Sequence, residues 1–319
     1  MSLRDRVLVI GSGGMASEYI KVLKSLGKFA VVVGRGVQNI EQLKASFPDY
    51  EYHSGGIEKY LEGGFAVPEF AINCVNVDFL GETSCQLLGH GVKYLLVEKP
   101  GDLTELGLTK VRDLALSNGA KVLIAYNRRA YSSIRQLIKE SEKDGGITSV
   151  HFEFTEWAHT FGPDTHSALA LKNWVLSNSS HVIDTVFYLI GDPKNLSSSV
   201  LGLNEIEWHP AGSVFIGSGV SGKNIPFSYH ANWNAPGRWA IEVMTDRRRF
   251  YLKPMEKLSE QQLGSIAITD IPLTDTLDID FKPGLYHQTE DFLNLDLQNL
   301  QSIQDQLTAM AHYKEIAGY

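Results

Sequence analysis

Val7-Leu8-Val9-Ile10-Gly11-Ser12-Gly13-Gly14-Met15-Ala16 is the stretch on which the reading of this chain turns. Four consecutive apolar residues without polar alternation suit a strand buried on both faces of a parallel sheet. The six residues that follow match G-x-G-x-x-[G/A]. Gly11 permits a tight turn, Gly13 lets a pyrophosphate approach the backbone, and small Ala16 allows helix and strand to pack closely. Met15, Ala16, Tyr19, Val22, Leu23 and Leu26 then recur at helical spacing, Glu18, Lys21 and Lys24 face away, and Gly27 supplies a stop. Free N–H groups and partial positive charge at the start of such a helix favour phosphates. The motif in this setting predicts dinucleotide binding through Gly11, Ser12, Gly13, Gly14 and Met15.

The same grammar continues to residue 126. Apolar runs predict strands over 29–33, 70–75, 92–97 and 121–126, and helical patterns fall over 40–47, 81–88 and 104–118. This rhythm specifies an α/β chain with an N-terminal Rossmann domain, a doubly wound parallel sheet, over 1–126. Beyond it the pattern changes. Helices are expected over 131–143 and 178–190, and a half-exposed strand over 149–157. Strands in close succession follow over 201–208, 214–219, 225–233, 239–245, 250–252 and 266–271, and a helical pattern closes the chain over 288–316. Residues 127–319 therefore read as an α+β domain with an antiparallel or mixed sheet covered by helices on one face. Its uncovered face predicts burial between subunits.

The chain has 319 residues, 43% of them hydrophobic and 21% charged, which is enough for two domains with real cores. A formal charge of -8 supplies no basic excess for neutralising phosphates, so nucleic acid is excluded as the main partner. The Arg247-Arg248-Arg249 run reads as a solvated strand edge or hairpin. Cys74 and Cys85 read as buried thiols rather than a disulfide, and neither CxxC nor HExxH occurs to suggest zinc. Met1-Ser2-Leu3-Arg4-Asp5-Arg6 lacks an apolar leader core, and no stretch of eighteen apolar residues occurs. The expectation is a cytoplasmic protein with no membrane partner.

At the end of the second strand, where NAD-preferring proteins place an acidic residue, the chain reads Val33-Gly34-Arg35. Gly34 removes a carboxylate that would repel a 2′-phosphate, and Arg35 can pair with one. This favours NADP, with NAD as the alternative and an ordinary surface arginine as the plainer reading of Arg35. Glu98-Lys99-Pro100 stands at the carboxyl end of a further parallel strand, where such sheets place their ligands, and Lys99 there can reach a substrate oxygen.

Taken together, the glycine-rich loop, Glu98-Lys99-Pro100, Ala125-Tyr126-Asn127-Arg128-Arg129 and His181-Val182-Ile183-Asp184 resemble the Gfo/Idh/MocA family of oxidoreductases. The family includes glucose–fructose oxidoreductase, inositol dehydrogenases and many sugar dehydrogenases, and the resemblance spans the chain. It implies a Rossmann domain followed by a substrate-binding and oligomerisation domain with a large open, mostly antiparallel sheet, assembled as a homodimer or homotetramer. Lys99 matches the family's active-site lysine, with Glu98 beside it at the cofactor. His181 matches the histidine of its D-x-x-x-H helix motif, and Asp184 the acid that follows. Where the family has aspartate, four residues before that histidine, this chain has Ser177, which can hydrogen-bond but carries no charge. Leu80 is a second departure, at a position where many members have histidine.

The implied chemistry is hydride transfer between a nicotinamide and a secondary alcohol or ketone of a sugar, polyol or sugar derivative. Lys99, His181 and Ser177 are the candidate catalytic residues. A histidine simply satisfied between helix and sheet is the plainer reading of His181, and Arg129 stands open between substrate clamp and structural ion pair. The segment 158–166, with its imidazole and aromatic groups, suits a sugar but also an ordinary loop. A monosaccharide, an inositol, a nucleotide-linked sugar and a surface-polysaccharide intermediate are all open as substrates. The rival to an enzyme is a non-catalytic dinucleotide-binding regulator or sensor on the same fold.

Overall fold

A computed structural model describes residues 5–319. The part of the leader reading that concerns residues 1–4 lies outside the described residues. The chain forms two compact units, the first comprising residues up to Ala125 together with Asp280–Leu307, the second Tyr126–Ile279 together with Thr308–Tyr319. The contiguous division expected at residue 126 thus gives way to a discontinuous one, because a late segment returns to the first sheet.

In the first unit strands and helices alternate: β1 (Arg6–Ile10), α1 (Gly14–Ser25), β2 (Phe29–Gly34), α2 (Val37–Ser46), β3 (Glu51–Ser54), α3 (Gly56–Glu62), β4 (Phe70–Asn73), α4 (Leu80–Gly89), β5 (Tyr94–Glu98), α5 (Glu105–Ser117) and β6 (Lys121–Ala125). Six parallel strands run in the order β6-β5-β4-β1-β2-β3. Val7, Leu8, Val9, Val31 and Val32 are fully buried, as their unbroken apolar runs require. Helix α1 buries Ala16, Tyr19, Ile20 and Leu23, and leaves Glu18 and Lys21 to pair at 2.7 Å on the outside. Burying a side chain of that size contributes about 1.5–3 kcal/mol. Strand β3 carried no apolar signal: Glu51-Tyr52-His53-Ser54 is a polar strand at the sheet edge, half-buried throughout, although the α3 that follows buries Ile57 and Tyr60.

The second unit holds α6 (Ser132–Lys143), β7 (Ser149–Glu153), α7 (Ala168–Lys172), α8 (Ser180–Ile190), β8 (Pro193–Leu201), β9 (Val214–Ser221), β10 (Pro226–Asn232), β11 (Ala240–Met244), β12 (Arg248–Leu252), β13 (Ser259–Gln262) and β14 (Ile268–Asp270), followed by α9 (Thr276–Asp280) at its end. Its eight strands run β14-β13-β12-β11-β7-β10-β9-β8, antiparallel except for β7 against β10. Burial alternates along β10, with Phe227, Tyr229 and Ala231 inside and Pro226 and His230 outside. Phe152 and Phe154 of β7 extend that inner face, with the Phe152 and Tyr229 rings 5.4 Å apart.

A strand expected over 201–208 is instead a turn. Gly202 and Asn204 adopt left-handed φ values of 72° and 62°, and the strand lies earlier, in the serine-rich β8. Polar β13 had no hydrophobic alternation to announce it. The single closing helix expected over 288–316 is two, α10 (Leu285–Asn294) and α11 (Ile303–Ala317). Leu295 ends α10 at φ 60°, and between the helices β15 (Gln301–Ser302) pairs antiparallel with β6. Both cysteines are free, Cys74 buried and Cys85 half-buried. Among the described residues no helix is long and apolar enough to cross a membrane.

The arginine run lies in the β11–β12 hairpin, as read, with Arg247 and Arg249 exposed, but Arg248 is drawn inward. Arg248 reaches Asp144 through Nε (2.8 Å) and Nη2 (3.0 Å), and its Nη1 donates to Glu140 (2.9 Å) and Glu260 (2.7 Å). Its side chain is 12% exposed. The Arg248 hydrogen bond holds the Asp144 carboxyl below its ordinary value, and Lys143 and Arg248 do the same for Glu140. Removing one member of such a cluster leaves the others buried without a counter-charge. Arg248→Met should therefore cost about 3 kcal/mol in denaturant unfolding, and exposed Arg247→Ala less than about 0.5 kcal/mol. Because these carboxyls are depressed in the folded state, the wild-type contribution is present above about pH 4 and lost as pH falls below it. An Arg248→Met chain as stable as wild type at pH 7 would show the cluster to be energetically idle.

Candidate functional site

The carboxyl ends of β1, β2 and β4 meet where the strand order reverses, and there the first unit opens a cavity of about 430 Å3. Its lining includes Gly11, Ser12, Gly13, Gly14 and Met15, as well as Gly34, Arg35 and Phe79. The loop is locked to its neighbours: Gly11 N donates to Val33 O at 2.9 Å, and Cys74 N to Ile10 O at 2.8 Å. Gly11 has φ 130°, and a Cβ there would lie 2.6 Å from Cys74 O. At Gly13 and Gly14 an added Cβ would meet nothing within 4 Å. The first glycine is thus demanded by the protein's own backbone, whereas the next two leave open space over the start of α1. That is the arrangement a dinucleotide phosphate needs, and these residues fit one.

Gly34 has a reason the sequence did not reveal. A Cβ there would sit 2.6 Å from both Cβ and Oγ of Ser12, so the residue is glycine because the glycine-rich loop presses on it. An aspartate at position 34 would displace the loop as well as repel a phosphate. Arg35 is exposed at the cavity, its guanidinium 4.5 Å from the ring centre of Phe79. Phe79 was not singled out in the sequence, and only its place just after β4 could have suggested it.

Glu98 ends β5 and accepts a hydrogen bond from buried Tyr19 at 2.7 Å, to whose hydroxyl Gln288 donates at 3.3 Å. Burial first, and then Glu98, push the Tyr19 hydroxyl and the Cys74 thiol upward, so both stay protonated. Lys99 follows, half-buried, joined to Pro100 by a cis peptide. Gln306 donates to Pro100 O at 3.0 Å and fixes that corner. Leu80 is buried at the start of α4, where its carbonyl accepts from Asn73 at 2.9 Å.

In the second unit His181 lies in the first turn of α8, buried, with Tyr126 edge-on at 5.8 Å and Trp239 at 6.1 Å between ring centres. Asp184 receives both Nε (2.8 Å) and Nη2 (2.6 Å) of Arg129. Burial opposes the charge of Arg129, but Asp184 outweighs it and holds the guanidinium above its ordinary value. Arg129 is therefore in an internal ion pair. Ser177 stands in a π-helical turn, Val175–Ser179, with its hydroxyl on the carbonyls of Ala170 (2.6 Å) and Asn173 (2.8 Å). The wider turn removes the simple four-residue relation to His181 that an α-helix would give.

Close to this helix start lies a carboxyl that sequence reasoning missed. Glu156 is 1% exposed and accepts from Ser179 Oγ (2.7 Å) and Asn178 Nδ2 (3.0 Å), with Arg238 Nη1 at 3.6 Å. Burial pushes it up to about 7 against those partners. The signal available was an acid at an inward position of a strand-like run. Of the 158–166 segment, Ala158 and His159 line a second cavity beside Glu156, while Phe161 and His166 pack on buried Trp174.

The raised Glu156 value means that the folded chain keeps a proton the unfolded chain has already lost between about pH 4.5 and 7. Stability should fall as pH rises through that window and reach its full penalty above it. Glu156→Gln removes the penalty, so its stability relative to wild type should improve by about 2–3 kcal/mol between pH 5 and pH 8 in chemical denaturation. A pH-independent difference would show that Glu156 titrates as an ordinary carboxyl.

Solved structures match this fold over nearly the whole chain. An oxidoreductase of Desulfitobacterium hafniense described as NADPH-dependent superposes with a TM-score of 0.76 at 16% identity, over 98% of this chain and 94% of its own. A UDP-N-acetylglucosamine 3-dehydrogenase of Acidithiobacillus ferrooxidans gives 0.74 at 13% identity, over 98% and 96%. A levoglucosan dehydrogenase solved with NADH and L-sorbose gives 0.74 at 13%, over 98% and 95%. No family model matches the sequence, and no curated protein does. At these identities the likeness establishes architecture: a parallel Rossmann-like sheet joined to a largely antiparallel one, the fold of oxidoreductases of the Gfo/Idh/MocA type.

Proposed function

We propose that the chain is a nicotinamide-dependent oxidoreductase acting at a hydroxyl-bearing carbon of a sugar or polyol. The observation that carries the reading is the cavity at the ends of β1, β2 and β4, with the open space over Gly13 and Gly14. The Gly11–Met15 loop and the start of α1 hold the diphosphate, and Arg35 holds the 2′-phosphate of NADP in preference to NAD. Bound there, a nicotinamide supplies the hydride acceptor or donor. His181 takes or gives the hydroxyl proton, and the Lys99 ammonium steadies negative charge on the reacting oxygen. Glu98, tied to Tyr19, fixes the strand end that carries Lys99. Ser177, bound to backbone carbonyls, contributes shape to the helix start rather than charge. The solved neighbours named for sugar substrates and for NADH or NADPH support this class of chemistry.

Cofactor choice is tested by titration calorimetry. NADP should bind about ten- to a hundredfold more tightly than NAD, and Arg35→Ala should remove that margin with little loss of NAD affinity. Gly13→Ala should weaken both dinucleotides at least tenfold, by roughly 1.4 kcal/mol or more, while leaving the melting of the cofactor-free chain unchanged. Equal wild-type affinities would mean that Arg35 does no more than stack on Phe79.

Catalysis is tested by absorbance of the reduced nicotinamide across a panel of sugars and polyols. On the substrate so found, His181→Ala should lower turnover by roughly 10²–10⁴-fold and Lys99→Ala comparably, with dinucleotide affinity retained. Full activity in both variants would overturn these roles. Tight dinucleotide binding with no turnover of any alcohol would favour the sensor.

A further inference from the structure

The second cavity, of about 670 Å3, belongs to the second unit alone and is walled by three segments, residues 156–159, 205–208 and 233–237. Its size falls within the roughly 300–1,000 Å3 of small-molecule sites. Two features of its walls are unusual for a surface dent.

The first is one exposed indole, Trp157, with half-buried Trp208 and buried Trp233 in the same walls. Trp157 is 49% exposed, yet its Nε1 donates to Gly237 O at 3.0 Å and the Arg238 guanidinium lies 4.7 Å from its ring centre. Trp208 stacks on Trp233 at 6.1 Å and meets buried Trp174 edge-on at 5.5 Å. An indole anchored by a hydrogen bond at the mouth of a cavity offers a flat apolar face on which a ligand ring can stack.

The second is the charge. Glu156, Glu205 and Glu207 line the cavity, and no lysine or arginine does. Glu205 is fixed in place, its Oε2 accepting from Ser213 Oγ at 2.6 Å and Asn234 Nδ2 at 2.7 Å. The nearest guanidinium to Glu156, that of Arg238, is 3.6 Å away and engaged between the rings of Trp157 and Trp239. Rigid rings beside oriented carboxylates suit a ligand with C–H faces to stack and hydroxyl or ammonium hydrogens to donate. The carboxylates of Glu205 and Glu207 repel phosphates and carboxylates, and Glu156 adds to that charge only above about pH 7.

We infer that this cavity binds a saccharide that bears no negative charge, with an amino-substituted sugar favoured. That excludes sugar phosphates, uronic acids and the diphosphate of a nucleotide sugar from this pocket. The inference rests on the hydride-transfer reading only in making the saccharide a substrate; binding itself is independent of it.

The test is saturation-transfer NMR and calorimetry on the full-length, cofactor-free chain with cellobiose, glucosamine, glucuronate and glucose 6-phosphate. Cellobiose and glucosamine should bind saturably, and the two anions at least tenfold more weakly. Trp157→Ala should weaken all sugar binding at least tenfold. Glu207→Gln, a change at an exposed position, should remove the advantage of glucosamine and leave cellobiose as before. Anions binding as well as neutral sugars, or no saturable sugar binding, would overturn the inference. Saturable sugar binding by a chain that binds neither dinucleotide would uphold the pocket and sink the hydride-transfer reading.

Discussion

Backbone crowding at the carboxyl ends of β1, β2 and β4 is the constraint from which the first unit is built. Gly11 abuts the Cys74 carbonyl and Gly34 abuts Ser12, each so closely that a methyl group would force strands apart. Two glycines thereby bring three strand ends together, and the crevice they form is floored by the glycine-rich loop and flanked by side chains such as Arg35 and Phe79. Main chain offers N–H groups at fixed positions without rotamer entropy, and α1 begins at that point with its unsatisfied amides. The buried Tyr19–Glu98–Gln288 chain lies under the same region and ties α1 to β5 and α10.

The second unit depends on buried charge instead of backbone approach. Arg129 and Asp184 hold α8 to the segment after β6, and Arg248 gathers α6, β12 and β13 around three carboxylates. The first pair is nearly closed to water and the second cluster is part-buried, and each favours a single arrangement of the elements it joins. Glu156 differs from them. Its nearest guanidinium is beyond hydrogen-bond distance, and its own bonds are to neutral donors, which leaves it the readily titrated carboxyl of this region.

Apolar pattern made the first unit legible. Runs such as Val7–Ile10 allow only one burial, and a glycine motif placed between such a run and an amphipathic helix has few other meanings. What escaped was polar or small: β3, β8 and β13 are edge or near-edge strands whose pairing is set by neighbours rather than by their own side chains. Lys99 and His181 were singled out through motif resemblance. Glu156, Trp208 and Arg238 come from loops and strand ends far apart in sequence, and nothing local marks them as neighbours. Ser177 stands in a π-turn that the sequence does not announce.

The return of the chain to its first sheet bears on how the protein is made. β15 supplies the antiparallel edge partner of β6, and Leu285 and Phe292 of α10 enter the same core as Tyr19 and Phe70. During synthesis the first unit therefore emerges with a bare strand edge and an open hydrophobic patch. It must wait for some 150 intervening residues, Tyr126–Ile279, before either is covered. Long-range closure of this kind slows folding and prolongs exposure of edges that pair with other chains. Vectorial production thus places the hazard of misassembly at the first unit rather than at the larger sheet. An excised N-terminal fragment would carry that hazard permanently.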